Sequence, residues 1–255
     1  MRKKYIFFDI DGTLTDDNPG GKVLPSTITT LEKLKKNGHF VAIATGRAEF
    51  FARDFRIENG FSNMVSDGGN GLTIDNELVS LEPLDFIIAN EIIDECLNKD
   101  ISFAVSIDNT PYLYTNSPLG YDNQMKFHCI HDSSLDFHQV KQIMKIFISC
   151  TPEQEKDIVS MHKLGYMRYF ESGCIVEPLE KYRGILKMVD MIHGNPQDIV
   201  VFGDGKNDIS MMNQAPLSIA MGNAIDEVKE IADFITRSHK EDGIEYACRY
   251  FGWID

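Results

Sequence analysis

The N-terminal part of the chain alternates short apolar runs with longer amphipathic stretches. Tyr5–Ile10 is an apolar run that leads into acidic residues and a glycine, which is typical of a buried strand followed by a loop. Ser26 is the predicted N-cap of a helix that ends near Gly38. Phe40–Ala44 predicts a second strand, and Glu49–Phe55 a second helix. This order predicts a parallel sheet that is covered on both faces.

The same alternation returns near the C-terminus. After a helix with an apolar face over 185–192, the predicted elements are a strand at Ile199–Phe202, a helix at Asp208–Gln214, a strand at Leu217–Met221, a helix near Ala224–Ala232, a strand at Phe234–Thr236 and a helix near Ile244–Phe251. In both halves, polar clusters follow the predicted strands, and this edge of an open α/β sheet is where ligands bind. The predicted fold class is therefore α/β, with a Rossmann-like doubly wound parallel sheet.

The middle of the chain has a different pattern. Leu72–Ile74 and Leu78–Leu81 predict a hairpin, and the segments that follow mix helices with pairs of strands. Thr151 and Gln154 predict a capping box at the start of a further helix. This mixture predicts an α+β domain over 79–178, inserted into a core that consists of 1–78 and 179–255.

Composition narrows the classes of partner. The 39 acidic and 25 basic residues give a formal net charge of −14, which disfavours binding to nucleic acid or to an anionic membrane. No stretch reaches the roughly 18 apolar residues of a membrane helix. Five scattered cysteines, without a C-x-x-C pair, indicate reduced thiols rather than a disulfide framework. We therefore expect a cytoplasmic protein. We also expect it to be a monomer or a small homo-oligomer.

Two carboxylates follow the first predicted strand. In an extended segment Asp9 and Asp11 point to the same side, and a divalent cation would relieve their repulsion. An acidic turn after a strand is the alternative interpretation. The loop after Ile199–Phe202 offers two more carboxylates, Asp204 and Asp208, among glycines that let a ligand approach the backbone. Having both acidic loops at one edge of the predicted sheet favours a functional site.

A third polar cluster ends the Phe40–Ala44 strand. Thr45-Gly46-Arg47 supplies a hydroxyl and a guanidinium where a phosphate could lie. The tripeptide is common in proteins, so its value comes from its position at the same edge of the predicted sheet. Because the net charge repels an anionic substrate, a bound metal is the expected local cation.

The order of these segments resembles the haloacid dehalogenase superfamily of phosphotransferases. Asp9-Ile10-Asp11-Gly12-Thr13 is similar to the first motif of that superfamily, Thr45 lies where the second motif has its Ser or Thr, and Gly203–Asp208 is similar to the fourth motif. The long middle segment resembles the α+β cap (type C2B) of the Cof-type, or type IIB, branch. Asn70-Gly71, Asn223-Ala224 and Glu241–Ile244 support this branch.

The resemblance implies a Mg²⁺-dependent phosphatase that hydrolyses a small phosphorylated metabolite, such as a sugar phosphate. Asp9 would be the nucleophile that forms an aspartyl-phosphate, and Asp11 the general acid and base. By position, the resemblance implies phosphate binding by the Gly12 amide, Thr45, Gly46 and Asn207. It implies metal binding by Asp9, Asp204, Asp208 and the main-chain carbonyl of Asp11. It implies contact with the substrate, or support of the site, by Arg47, Asn70 and Lys181.

The third motif of the superfamily is a lysine, often followed by glycine. Because Arg183 precedes Gly184, we predict that Arg183 is the catalytic cation that neutralises the phosphate and Asp9. Lys181 is the alternative, and it would require a shift in the register of the loop.

Other functions are weaker hypotheses. A phosphosugar mutase of related fold would share the first motif, and a regulatory phosphate-binding protein with a weakened site is suggested by arginine in place of lysine. A phospho-acceptor signalling domain would need only about half of this length. His128 and His131, with His138 nearby, could hold a soft metal, but without a second spaced pair of ligands we interpret them as ordinary residues of the inserted domain.

Overall fold

The computed structural model describes residues 2–16, 21–121 and 127–255. Contacts divide the chain into two compact units. The first consists of Met1–Ala48, Ala52–Ser80 and Glu180–Asp255, and the second of Glu49–Phe51 and Leu81–Leu179. The grouping of Glu49–Phe51 with the second unit has no counterpart in the sequence-based prediction.

The strands of the described chain are β1 (Tyr5–Phe8), β2 (Phe40–Ala44), β3 (Met64–Ser66), β4 (Gly71–Ile74), β5 (Glu77–Leu81), β6 (Ser102–Ser106), β7 (Tyr112–Thr115), β8 (His128–His131), β9 (Lys145–Ser149), β10 (Tyr166–Phe170), β11 (Gly173–Val176), β12 (Ile199–Gly203), β13 (Ser218–Ala220) and β14 (Phe234–Ile235).

The α-helices are α1 (Pro25–Lys36), α2 (Glu49–Glu58), α3 (Phe86–Asn98), α4 (Pro152–Glu155), α5 (Lys181–Met191), α6 (Ile209–Gln214), α7 (Asp226–Ile231) and α8 (Gly243–Tyr250). Among the described residues, no helix combines the length and the apolar character that crossing a membrane requires.

The first unit is built on one sheet with the strand order β14-β13-β12-β1-β2-β3-β4-β5. The strands from β14 to β3 are parallel, and β4 joins β3 antiparallel. The predicted hairpin therefore extends this sheet. Its second strand, β5, runs from Glu77 to Leu81 and so spans residue 79, where the inserted domain was predicted to begin.

Both faces of the sheet are buried, which confirms the predicted fold class. Along β1, Ile6 and Phe8 join one apolar cluster, and Tyr5 and Phe7 join another on the opposite face. Residues of α1, α2 and α8 cover the first cluster, and residues of α5, α6 and α7 cover the second. A strand with apolar side chains on both faces requires such double coverage.

The start of α1 differs from the prediction. Leu24 is the N-cap, and Pro25 occupies the first helical position, which suits its fixed φ and its missing N–H. Ser26 instead donates a hydrogen bond from Oγ to Asp242 Oδ1, at 2.6 Å.

The second unit contains a sheet with the order β10-β11-β9-β6-β7-β8, in which β7 and β8 are parallel and the other neighbouring strands are antiparallel. Its apolar core includes residues of α3, β6, β9 and β11. The capping box predicted at Thr151 and Gln154 is present. Lys145 and Glu177 form a buried ion pair at 2.5 Å.

A tight turn after β3 packs on the first turn of α5. Asp67, Gly68 and Gly69 have positive φ angles of 52°, 63° and 114°. The amide of Glu180 donates to the Gly68 carbonyl at 3.1 Å. A Cβ on Gly184 would lie 2.6 Å from the Gly69 carbonyl oxygen, so only glycine allows this approach. The turn thereby fixes where α5 begins.

Gly184→Ala is expected to destabilise the protein by about 1–3 kcal/mol through overpacking. The direction of the change in stability is informative, because Gly→Ala inside an exposed helix ordinarily stabilises a protein by roughly 1 kcal/mol. Urea unfolding of the variant measures the change. Asp190→Ala, at an exposed position of the same helix, is the control and should stay within about 0.5 kcal/mol of wild type. A Gly184→Ala protein as stable as wild type would show that this contact does not constrain α5.

Candidate active site

The site lies at the carboxyl ends of adjacent parallel strands in the first unit. Phe8 of β1 pairs with Phe202 of β12, and the amide of Asp9 continues the ladder by donating to the Phe202 carbonyl at 3.1 Å. Asp9 and Asp204 therefore leave the sheet at the same edge. On the other side of β1, Phe8 pairs with Ile43 of β2, which brings Thr45 to that edge as well.

A buried lysine bridges two carboxylates. Lys181 Nζ donates to Asp9 Oδ1 at 2.6 Å and to Asp208 Oδ1 at 2.7 Å. Lys181, Asp9 and Asp208 are 1%, 3% and 0% exposed. The two carboxylates raise the pKa of Lys181, although burial alone would lower it, so the ammonium stays charged.

The preference for Arg183 as the cation beside Asp9 is therefore wrong. Arg183 is exposed, and its guanidinium donates to Asn70 Oδ1 of the turn after β3. Arg183 was preferred because it precedes Gly184. In the structure, this glycine allows α5 to pack closely on Gly69, and it lies one helical turn beyond Lys181. Asn70 is buried and supports the turn through its contact with Arg183.

Asp208 organises the loop after β12. Its Oδ2 accepts hydrogen bonds from the amides of Asp204 and Gly205, at 2.9 and 3.0 Å, while its Oδ1 accepts from Lys181. A Cβ on Gly203 would lie 2.8 Å from Asp208, so glycine is required there. Asp208 thus holds both the loop and the lysine, and its two oxygens are engaged in these bonds.

Asp204 is held from the opposite loop. Thr13 Oγ1 donates to Asp204 Oδ1 at 2.8 Å, and Asp204 is 9% exposed. Gly12 has a φ of +86°, and a Cβ there would lie 2.0 Å from Asp204 Oδ2. Asn223 supports the same loop, because its Nδ2 donates to the Gly12 carbonyl at 2.7 Å.

Contacts in this loop differ from the sequence-based prediction at two points. The Gly12 amide donates to the Thr15 carbonyl at 3.1 Å, so it is used within the loop and not left for the predicted phosphate oxygen. Thr13 and Asn223 were not assigned a role. The signal for Thr13 was its place in the first motif, and Asn223 lies in a segment that supported the resemblance without a function of its own.

Asp11 is paired with Arg47. Arg47 Nε donates to Asp11 Oδ2 at 2.9 Å, and Nη2 to Oδ1 at 2.5 Å, which is a bidentate arrangement. The Asp11 side chain is 36% exposed, so this carboxylate lies nearer to solvent than Asp9. Thr45 is buried, and its Oγ1 accepts from the Arg47 amide at 3.1 Å.

Asp9, Asp204 and Asp208 form a candidate metal centre. One carboxylate oxygen from each lies within 4.8 Å of the others. The three carboxylates face a single ammonium, so two negative charges are uncompensated when all are ionised, which equals the charge of one divalent cation. In the absence of a cation, burial raises the pKa of Asp9 to about 7 and that of Asp204 to about 8, and neighbouring carboxylates add to both effects. Oxygen ligands suit Mg²⁺, so the residues present fit this ion.

The remaining predicted residues have less distinctive surroundings. Asn207 is half-buried in the loop that Asp208 organises, and Gly46 is half-buried between Thr45 and Arg47. The Asp11 carboxylate is not a member of the three-carboxylate group. Within the described residues, that group is the one cluster of potential metal ligands, and it excludes His128 and His131 of β8.

Residues 6–247 match the haloacid dehalogenase-like hydrolase family, so the chain belongs to this family. The "Putative phosphatase YkrA" of Bacillus subtilis (strain 168) is 31% identical over 259 residues, with 100% of both chains covered. The predicted enzyme class, a phosphoric monoester hydrolase, is thus confirmed by the family and by the phosphatase names of relatives.

Solved structures share the fold of this chain. The crystal structure of a hypothetical protein from Geobacillus kaustophilus HTA426 has a TM-score of 0.85 at 29% identity, covering 99% of this chain and 100% of that chain. The sugar phosphatase BT4131, of haloacid dehalogenase subclass IIB, shares the fold with a TM-score of 0.80 at 24% identity, covering 99% and 100% of the two chains.

Asp204→Asn is expected to raise the melting temperature of the metal-free protein and to remove most of the further rise that Mg²⁺ produces in wild type. The change deletes one uncompensated charge, and asparagine Oδ1 can still accept the hydrogen bond from Thr13. Each kcal/mol corresponds to about 2–4 °C for a protein of this size. Melting curves in EDTA and in Mg²⁺ measure both effects, with the exposed Asp190→Asn as control. An undiminished response to Mg²⁺ would contradict the proposed ligand set.

In EDTA, the stability of the wild type is expected to fall as the pH rises from about 5 to about 8. The pKa values of Asp9 and Asp204 are raised in the folded state, to about 7 and about 8, so the folded protein binds more protons than the unfolded chain in this range. Stability that is present below the ordinary carboxyl pKa is therefore lost as the pH passes through the folded-state values. Melting temperatures across this range test the sign, and Asp204→Asn should flatten the slope.

Proposed function

We propose that this protein is a Mg²⁺-dependent phosphatase that hydrolyses a small phosphorylated metabolite through an aspartyl-phosphate on Asp9. The observation that carries the proposal is the buried group of Lys181, Asp9, Asp204 and Asp208. Burying three carboxylates around one lysine is costly for stability, so a functional reason for the arrangement is expected.

Asp9 is suited to be the nucleophile. Lys181 holds Asp9 Oδ1, and among the described residues none donates a hydrogen bond to Oδ2. In the first half-reaction an oxygen of Asp9 would attack phosphorus, and the bond between phosphorus and the substrate oxygen would break. The positive charge of Lys181 favours this step, because it offsets the repulsion between the Asp9 carboxylate and the phosphate.

Asp9 and Asp204 would hold Mg²⁺, with the Asp11 carbonyl as the proposed main-chain ligand, and Asp208 would support the metal by fixing the loop that carries Asp204. When bound, the ion supplies positive charge that neutralises the phosphate and keeps the carboxylates ionised. Asp204 Oδ2 suits this role, because Oδ1 of Asp204 is already held by Thr13.

Asp11 would transfer protons in both half-reactions. It would protonate the leaving alkoxide when the aspartyl-phosphate forms, and it would later take a proton from the water that attacks phosphorus and releases inorganic phosphate. Its greater exposure suits contact with both substrate and water. The bidentate pair with Arg47 fixes the orientation of the carboxylate between these steps.

Thr45, Gly46, Asn207 and Lys181 would bind the transferring phosphate oxygens. The Thr45 hydroxyl accepts from the Arg47 amide and keeps its own proton for donation to an oxygen. We do not assign phosphate binding to the Gly12 amide, because this amide donates its hydrogen bond to the Thr15 carbonyl.

The substrate class is proposed from the relatives. BT4131 is a sugar phosphatase, and a sugar phosphate or a similar small metabolite is the corresponding substrate for this chain. The hypothesis of a regulatory protein with a weakened site rested on arginine in place of the motif lysine. Because Lys181 lies beside Asp9, this reason no longer applies. A mutase shares the first half-reaction, and release of inorganic phosphate distinguishes it from a phosphatase.

Asp9→Asn is expected to abolish phosphate release from an aryl phosphate and from a panel of sugar phosphates, because an amide oxygen is a far weaker nucleophile. Wild-type release should require Mg²⁺ and disappear in EDTA. Circular dichroism and melting curves check that the variant is folded. Turnover by Asp9→Asn close to that of wild type would rule out the covalent mechanism.

The variants Lys181→Met and Arg183→Met separate the two candidate cations. Lys181→Met should lower kcat/KM by about 10²–10³, as expected for loss of a charged group that stabilises the transition state. Arg183→Met should lower it by less than about tenfold, since this residue supports a turn and does not contact Asp9. Assays are run below the melting temperature of each variant. The reverse ranking would restore the assignment of the third motif to Arg183.

A further inference from the structure

Two cysteines of the second unit lie next to each other on neighbouring strands. Cys150 follows β9, and Cys174 is in β11, which pairs antiparallel with β9. Both belong to the same apolar cluster and are 2% and 1% exposed. Their sulfur atoms are 3.8 Å apart, within hydrogen-bonding distance. A disulfide requires about 2.05 Å, so the two sulfur atoms must approach each other by roughly 1.8 Å.

Charged groups flank this pair on both sides. Arg168 Nη2 donates to Cys150 Sγ at 3.5 Å, and Nη1 donates to the Cys150 carbonyl at 3.2 Å. Cys174 Sγ lies 3.5 Å from Glu155 Oε2 and 3.8 Å from Cys150 Sγ, so its one proton can be donated to either, and Arg168 binds the same carboxylate at 2.6 Å. One sulfur thus contacts a cation and the other contacts a proton acceptor.

This asymmetry gives the two thiols different chemistry. The hydrogen bond with Cys174 and the charge of Arg168 lower the pKa of Cys150 to about 7, despite burial. The same hydrogen bond and burial raise the pKa of Cys174. A thiolate is the nucleophilic form of cysteine, so Cys150 is the attacking sulfur and Cys174 the thiol that follows. By contrast, burial raises the pKa of Cys96 to about 12, which makes that thiol unreactive.

We propose that Cys150 and Cys174 form a redox-active dithiol that hydrogen peroxide oxidises to a disulfide. The pair is assigned by its sulfur–sulfur distance and by the contacts of Arg168 and Glu155. This site is separate from the proposed phosphatase chemistry, whose residues all belong to the first unit.

The proposed reaction balances in two steps. The Cys150 thiolate attacks one oxygen of peroxide, the O–O bond breaks and hydroxide leaves, so that Cys150 becomes a sulfenic acid. Cys174 then loses its proton, with Glu155 as the nearest acceptor, and its sulfur attacks Cys150. The S–O bond breaks, the disulfide forms, and the second hydroxide leaves. The two thiol protons convert both hydroxides to water, and peroxide receives the two electrons that the thiols lose.

Access of the oxidant is consistent with the position of the pair. Cys150 lies at the end of β9 beside the turn of the β10–β11 hairpin, where its amide donates to the Ser172 carbonyl at 3.0 Å. β10 is an edge strand, and its register with β11 is irregular between Arg168 and Phe170. Local opening at a sheet edge costs less than global unfolding, and peroxide is small enough to use it.

The test uses the full-length protein, reduced and freed of reductant, and treated with increasing hydrogen peroxide. The reduced chain has five thiols. Titration of thiols under denaturing conditions should show the loss of two, and mass spectrometry without reduction should find Cys150 linked to Cys174. Dithiothreitol should restore all five thiols. Arg168→Gln should slow the reaction by roughly five- to tenfold at neutral pH, because less Cys150 is ionised.

Cys150→Ser and Cys174→Ser should each abolish the disulfide, whereas Cys96→Ser and Cys129→Ser should leave it unchanged. Melting curves show whether each variant is folded, and Cys174→Ala serves as a second variant if serine is not tolerated at this buried position. Retention of the Cys150 and Cys174 thiols at peroxide concentrations that oxidise the half-exposed Cys129 would overturn the proposal. A disulfide that contains Cys96 or Cys129, or sulfinic acid at Cys150 without a disulfide, would overturn it too.

Discussion

The bridge that Lys181 forms between Asp9 and Asp208 is the interaction on which the catalytic half of the molecule depends. Like charges so close together would not stay ionised in a buried position without a cation between them. The lysine supplies one positive charge, and the shortfall of two charges when Asp204 is included equals the charge of the divalent metal that we propose. The same imbalance that makes the site costly for stability also makes it suitable for phosphoryl transfer, because a phosphate can approach Asp9 only where its charge is offset.

Backbone geometry holds this arrangement in place. Gly203 allows Asp208 to reach the amides of its own loop, and Gly12 allows the first loop to approach Asp204. Gly69 and Gly184 allow the turn after β3 to pack against α5, which begins with Lys181. Each glycine lies where a Cβ would overlap a neighbouring atom, so the positions of the charged side chains follow from how closely these segments approach one another.

Elements with a single strong signal could be predicted from the sequence. The Phe40–Ala44 strand was predicted with the correct bounds, because its apolar run is bounded by polar residues at both ends. The strand β3 was missed, since three residues are too few to show a period. Ser26 was given the role of N-cap because propensity favours serine, but the helix begins two residues earlier than predicted, with Leu24 as the N-cap and Pro25 at the first helical position.

The candidate site was predicted in its residue types but not in all of its contacts. Motif spacing identified Asp9, Asp204 and Asp208, because adjacent parallel strands bring their carboxyl ends together. It named Lys181 only as the alternative to Arg183, since the choice between two cations two residues apart depends on where α5 begins, and tertiary packing at Gly184 sets that start. The contact between Cys150 and Cys174 could not be predicted either, because cysteines 24 residues apart in the sequence meet only when β9 and β11 are neighbours.

The most direct test of the account is to trap the phosphorylated enzyme. Wild-type protein is mixed with a substrate from the sugar phosphate panel and Mg²⁺, quenched in acid within one turnover, reduced with borohydride and digested for mass spectrometry. The account predicts that Asp9 is converted to homoserine, because borohydride reduces an acyl-phosphate, and that Asp11, Asp204 and Asp208 in the same sample are unchanged. Reduction at another carboxylate, or none during a turnover that releases phosphate, would contradict the assignment of Asp9 as the nucleophile.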